Sequence, residues 1–180
     1  TDAFGNVYLP VLMDPKYQSL PQRAQWAFCQ SIYPGQLFPP GDSIAEGTLG
    51  MLHTTLQEGM VMGTGWIIEG IWNYFASFYG HACLWLGESS RAADALYAFA
   101  NHASPLYVWR EEHNPRDLPR NFVGDMPHNW GSAEFIRLAV HLLAIDRGDE
   151  LHLLEGIPEE WLGGGMQTSL RAIATPFGPL

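Results

Sequence analysis

Basic residues are scarce in this 180-residue chain: nine Lys and Arg stand against nineteen Asp and Glu, a formal charge of −10. Proteins that hold phosphate backbones need clustered cations to displace counterions, so nucleic acid is not an expected partner. No basic amphipathic helix is present to lie on an anionic membrane, and no uninterrupted apolar run reaches the ~20 residues that cross a bilayer. Cysteine is nearly absent. Cys29 and Cys83 are far apart and lack the paired spacing of a zinc site or a dense disulfide framework. Cys83 lies in an apolar helical pattern and reads as a small buried hydrophobe; two such thiols leave the redox compartment open. Charged residues of both signs make up only 16% of the chain against 47% apolar, little for a small domain that must cover its own surface. That deficit points to a larger assembly. The chain also lacks an initiator Met and the order of charged, apolar and small residues that marks a secretory signal. It stops at ATPFGPL in what reads as a fresh extended segment, so both ends are read as cuts in a longer polypeptide.

What is present suffices for one domain with a sizeable core, ~100 to 200 residues being the usual size. Gly5, Pro10, Pro15 and Pro21 make the first twenty-two residues loop. A short helix is expected from about Gln22, just after Pro21, to Ser31, before YPGQLFPPGD breaks the chain. Ser43 and Glu46 have the spacing of a capping box, and Ala45, Leu49, Leu52 and Leu56 continue as one apolar stripe towards Gly59. Gly47 and Gly50 each cost that helix roughly 1 kcal/mol relative to Ala, so packing must hold it. After a glycine-spaced turn carrying Trp66 and Glu69, IWNYFASFYGHACLWLG has no Asp, Glu, Lys or Arg between Glu69 and Glu88. A helix apolar nearly all round belongs inside a larger helical body. A tight link, Gly87 to Ser90, leads to a second helix with Ala92, Leu96 and Phe99 on one stripe, which implies an antiparallel pair.

The segment from Tyr107 to Arg137, YVWREEHNPRDLPRNFVGDMPHNWGSAEFIR, gathers the groups with chemical potential. It places Glu111 and Glu112, Trp109 and Trp130, and His113 and His128 in a loop kept from helix by Pro105, Pro115, Pro119 and Pro127. Asn129 or Ser132 is expected to cap the following helix, which buries Phe135, Leu138, Ala139, Leu142 and Ile145, carries Glu134 and Arg137 outside, and ends at Gly148. DELHLLEGIPEEWLGGG then gives a short extended piece, a Pro-initiated turn and a glycine run. QTSLRAIATPFG alternates like a strand, which puts a boundary near Gly163 to Gly165. Helix pairs, a buried aromatic inner helix and long loops bearing Trp and Glu suit a mainly α fold, part of an (α/α) toroid whose loops form a sugar-sized bowl at one end.

The candidates are weighed between functional and structural readings. Trp66, Trp109 and Trp130 offer flat faces for a pyranose ring or fill a helical core. Trp72 and Trp85 read as core. Glu69 binds sugar hydroxyls, caps the inner helix, or is the in-chain candidate for an acid. Asp125 and His128, around Pro127, bind hydroxyls or make a turn. The remaining histidines are at no metal-like spacing and read as structural. Glu111 and Glu112 are solvated charges or an enclosed pair; adjacent carboxylates disfavour joint ionisation, so enclosure would raise a pKa.

The order WREEH (109–113) followed by GDMPHNWGSAEFIRL (124–138) resembles the second half of the catalytic cleft in six-hairpin glycosidases. Glucoamylase-like members show a Glu-Gln pair and then a Pro-x-x-Trp-Ser-x-Ala helix start. Residues 63–105 resemble the last helical hairpins of such a barrel, and LHLLEGIPEEWL (151–162) with RAIATPFGPL (171–180) its exit into a β-rich part. The likeness covers most of the chain from about Ser43. Here Glu112-His113 stands for Glu-Gln, which leaves the carboxylate in place, and Trp130-Gly131-Ser132 stands for Trp-Ser, which disturbs the hydroxyl position.

The resemblance implies a partial (α/α)6 barrel over residues 1–162, followed by a linker and the start of a C-terminal β segment over 163–180. It implies a glycoside hydrolase, inverting, acting on an oligosaccharide or glycoconjugate. Glu112 would be the general base; the acid in that family lies well over a hundred residues earlier, before Thr1, so the rest of the polypeptide would complete the barrel. No metal or organic cofactor is implied. Two other functions fit the same residues: a helical toroid that binds carbohydrate or acts as a scaffold without chemistry, and a phosphorylase, for which Arg110, Arg116 and Arg120 could supply the cationic pocket.

Overall fold

The stretch without charge becomes the central helix. In the structure, a computed structural model that describes residues 1–10, 14, 26–62, 66–67, 69–165 and 167–180, α1 covers Trp26–Ile32, α2 Ser43–His53, α3 Phe75–Trp85, α4 Ser89–Asn101 and α5 Asn129–Leu143. The expected start of the first helix after Pro21 lies outside the described residues, as does the middle of the glycine-spaced turn before Trp66. Every residue of α3 from Phe75 to Leu84 is buried, and α1, α2, α4 and α5 all pack against it. Three residues join α3 to α4, whose contact is the most extensive between any two elements, as an antiparallel hairpin requires. No helix among the described residues is long and apolar enough to cross a membrane.

Burying α3 on all sides takes Ser77 and His81 away from water, and buried polar groups need partners. α5 supplies them. Ser77 Oγ donates to Glu134 Oε2 at 2.6 Å, and His81 Nε2 lies 2.9 Å from His141 Nδ1. Glu134 therefore faces inward, not outward as its charge suggested. Arg137 follows it, 3.1 Å from the carboxylate and over the Tyr33 ring. Leu138 and Leu142 are the fully buried members of the expected stripe within α5, and Ile145, also fully buried, lies beyond the helix.

Helix ends differ by a residue or a turn. Asp42, one position before Ser43, caps α2 by accepting from Ile44 N and Ala45 N. α2 stops at His53, because Glu58 and Gly59, at φ +52° and +77°, form the two-residue turn that pairs β1 (Leu56–Gln57) with β2 (Met60–Val61). His128 caps α5 through Nδ1, which accepts from Gly131 N, in place of Asn129 or Ser132. α5 ends at Leu143, and Gly148 instead turns the hairpin of β6 (Ala144–Arg147) and β7 (Glu150–Leu153).

The fold is consequently mixed, not mainly α: among the described residues helix accounts for 38% and strand for 14%. The strands are not confined to the C-terminal end. β3 (Ile71–Trp72), β4 (Glu112–His113) and β5 (Phe122–Val123) form an antiparallel sheet beside the first residues of α3. After a 3₁₀ turn at Glu159–Leu162, the alternating C-terminal segment pairs only as β8 (Ala174–Thr175) with β9 (Gly178–Pro179).

The glycines of α2 mark where the N-terminal segment crosses it. A Cβ on Gly47 would meet the Val7 carbonyl oxygen at 1.8 Å, and one on Gly50 the Asn6 side-chain oxygen at 2.4 Å. Backbone cannot yield as a side-chain end can. Gly47→Ala should lose about 1–3 kcal/mol in urea unfolding through overpacking. Gly50→Ala should be close to neutral, its clash offset by roughly 1 kcal/mol of helix propensity. Equal stability of Gly47→Ala and the parent would contradict this packing.

Candidate functional site

The three-stranded sheet decides which of the paired carboxylates is enclosed. In β4, successive side chains leave on opposite faces; Glu112 pairs with Trp72 and Val123, and His113 with Ile71 and Phe122. Glu112 is 0% exposed, the one carboxylate so shielded among the described residues. Its Oε1 accepts from Ile67 N at 2.8 Å. Burial raises its pKa above the ordinary carboxyl value, helped by the charge of Glu111; hydrogen bonds from the backbone of Ile67 and Trp66 and from the Trp72 side chain oppose the rise without cancelling it.

Glu111 is half-buried. Its N–H donates to the Asp125 carbonyl at 2.9 Å and its carbonyl accepts from Asn73 N at 3.3 Å. The Glu111 side chain lies where a Cβ on Gly124 would be, 1.8 Å from Oε2, so only glycine, here at φ +75°, fits opposite it. Tyr74 lies within electrostatic reach of both carboxylates: burial first, then the charges of Glu111 and Glu112, push its hydroxyl above the usual tyrosine range. Its ring stacks on Trp130, centroids 4.3 Å apart at 16°. Trp130 is 48% exposed and Trp66 69%. Two open indole faces thus flank the segment that holds the carboxylates.

Other candidates are placed elsewhere. Trp109 is core, a correction to its reading as a sugar platform: its indole N–H donates to Phe99 O at 2.7 Å, and its ring packs on Phe99 and Phe135. His128 is buried and spends Nδ1 on the cap of α5, which explains its place before the helix without a ligand. Asp125 is exposed, and its contribution is the carbonyl that fixes Glu111. Glu69 is exposed and does not cap α3, whose N-cap, Tyr74, makes no side-chain cap bond. Arg110, Arg116 and Arg120 do come together, in a cleft lined also by His113 and Phe122. That cleft follows the His113 side of the sheet, away from the Glu112 carboxylate. Among the described residues, no group of three or more His, Cys, Asp or Glu is gathered as a metal-ligand set.

Tyr74 escaped sequence reasoning, and Trp72, read as core and buried, was not connected with Glu112. Both sit in a run that reads as one continuous apolar helix, and only the strand at Ile71–Trp72 separates them from it. The contact of His81 with His141 was equally hidden, because sixty residues separate them.

Burial fixes the sign of the pH response. A carboxyl with a raised pKa favours the folded state when protonated, so the contribution of Glu112 is lost as pH rises through that pKa. The imidazoles of His81 and His141 have lowered pKa values, from desolvation first and the Arg137 charge second. Unfolded imidazoles take protons near 6.5 while these do not, so their contribution is lost as pH falls below 6.5. Melting temperatures should therefore decline below pH 6.5. Glu112→Gln should melt higher than the parent in mildly alkaline buffer, with the gap closing below pH 4.5; a variant no more stable at any pH would show that ionising Glu112 costs nothing. No family model, curated protein or solved structure matches this chain, and its functional reading therefore rests on these residues themselves.

Proposed function

We propose that this chain is the C-terminal part of an (α/α)6-barrel glycoside hydrolase of the six-hairpin, glucoamylase-like class, and that Glu112 is its general base. The observation that carries this reading is the enclosure of Glu112 between Trp72 and the backbone of Trp66 and Ile67. A raised pKa makes the carboxylate a stronger base for taking a proton from water. The open faces of Trp66 and the Tyr74–Trp130 stack supply the apolar, flat surface that a pyranose ring prefers. Glu111 contributes charge beside the base. Substrate is an oligosaccharide or glycoconjugate, and no cofactor is called for.

Inversion needs an acid ~6.5 to 9.5 Å from the base, with water between them. Glu69, the acid candidate within this chain, is exposed, where a carboxyl is not held protonated by burial; the resemblance puts the acid well over a hundred residues before the base, so we assign it to the part of the barrel outside residues 1–180. The α3–α4 hairpin and α5 are then barrel elements, and residues 163–180 lead out of it. Ile67 N–H covers Oε1 in this conformation, so the productive state is one in which that amide has moved aside. A phosphorylase is the weaker reading, because the arginine cleft opens on the sheet face opposite Glu112 and phosphate held there would not meet the same anomeric carbon.

The test is turnover on a panel of glycosides by the polypeptide that contains this chain. Glu112→Gln should lower kcat by ~10²-fold or more, with Glu69→Gln within a few-fold of the parent. Trp130→Ala should act mainly on KM, because it removes a stacking surface and no reacting group. Parent-like turnover by Glu112→Gln would remove the base assignment, and sugar binding without turnover by the parent would leave a carbohydrate-binding toroid.

A further inference from the structure

The arginine cleft has a composition the rest of the chain does not prepare for. It encloses about 500 Å³ and is formed by the end of α4 and by the loop around β4 and β5. Three of the nine basic residues line it, and none of the nineteen acidic residues does. In a chain of formal charge −10, that separation makes it a local attractor for anions.

The partners show which charges are available. Arg116 is spent: its Nη2 donates to Asn101 O at 2.8 Å and its Nε lies 3.5 Å from Glu58. His102 contacts Ala98 O and Glu58 and stacks on His113, whose pKa is lowered chiefly by burial. Arg110 and Arg120 differ. Among the described residues neither has a carboxylate within 4 Å, and Arg110 is held over the Phe122 ring, 4.6 Å from its centroid. A guanidinium placed by an aromatic ring with its fork unspent is suited to a planar or tetrahedral oxyanion. Beside it, half-buried Asn114 also lines the cleft; its Oδ1 is covered and has no hydrogen-bond partner, an acceptor that a hydroxyl donor satisfies once the side chain turns towards the cleft.

We infer that this cleft is a binding site for a sugar carrying an oxyanion, with Arg110 and Arg120 on the phosphoryl or carboxylate group and Asn114 Oδ1 on a sugar hydroxyl. The volume is within the ~300 to 1,000 Å³ of small-molecule sites. Because the cleft opens on the His113 side of the sheet, the site is distinct from Glu112 and stands independently of the hydrolase reading.

Isothermal titration of the protein in low-salt buffer tests it, with glucose 6-phosphate, glucuronate, inorganic phosphate and glucose as probes. Glucose 6-phosphate, glucuronate or both should bind, inorganic phosphate more weakly, and glucose least. The preferred probe identifies the oxyanion. Arg110→Gln/Arg120→Gln should weaken that binding about tenfold or more, and Asn114→Ala should bring the charged sugars down to the level of inorganic phosphate. Glu112→Gln should bind like the parent, and circular dichroism of each variant checks the fold. Glucose binding as tightly as the charged probes, affinity within twofold of the parent in the double arginine variant, or no binding of any anion at millimolar concentration would each overturn the proposal.

Discussion

The complete burial of α3 is the constraint from which the rest of the molecule is arranged. A helix that offers water no face must find a partner for each polar side chain, and the partners of Ser77 and His81 are on α5. This draws Glu134 inward, with Arg137 to balance it, and fixes the rotation of α5 about its own axis. Gly80 sets the distance: a Cβ there would meet Leu138 Cδ2 at 2.9 Å and Ala95 Cβ at 3.3 Å. With α5 fixed in rotation and depth, its first turn has one place to go. That place puts Trp130 on Tyr74 and His128 beneath the first helical amides.

How much of this could be read beforehand depends on the range of the interaction. The uncharged run announced a buried helix, and the short Gly87 to Ser90 link announced its hairpin partner, because both are local. The cap of α2 slipped by one residue since Asp42 and Ser43 are equally able to accept from the first amides, and only geometry chooses Asp42. Glu134 was assigned to the wrong side because an apolar stripe counts hydrophobic residues alone. Its inward orientation depends on Ser77, fifty-seven residues earlier, which no periodicity can show. The extended piece at 149–154 and the alternation at 167–178 were legible, but the strands before α5 were missed because each has two residues, too few for alternation to register, although Glu58-Gly59 carried a turn signal in plain view.

The site divides in the same way. Trp109 and Trp130 belong to one stretch of sequence that reads as a loop, yet one is core and the other, in the first turn of α5, is open. Phe99 O and Phe135 settle the fate of Trp109, and Tyr74 that of Trp130, all from other segments. The two glutamates are adjacent in sequence, and the choice between them belongs to the sheet. Pairing of Glu112 with Trp72 sends its carboxylate under the Trp66–Ile67 backbone, while Glu111 points to Gly124. A one-residue slip in that register would exchange them.

The same sheet keeps opposite charges apart, and this bears on both sites. A guanidinium within about 4–6 Å would hold Glu112 ionised and pull its pKa down. Among the described residues the leading influences on Glu112 are burial, Glu111, Trp72 and the backbone of Trp66 and Ile67, with no arginine. Arg110, two residues away in sequence, is instead turned to Phe122 on the cleft side. Alternation alone would set residues two apart on one face; Arg110 escapes it because it precedes the bend at Glu111 and lies outside β4. That bend leaves the carboxylate in a low-dielectric enclosure where it is a stronger base, and it leaves Arg110 with no described acid to neutralise it. Were Glu112 and Arg110 on one face, they would pair, the carboxyl would fall back below its ordinary value, and neither side of the sheet would have an unspent charge to offer a ligand.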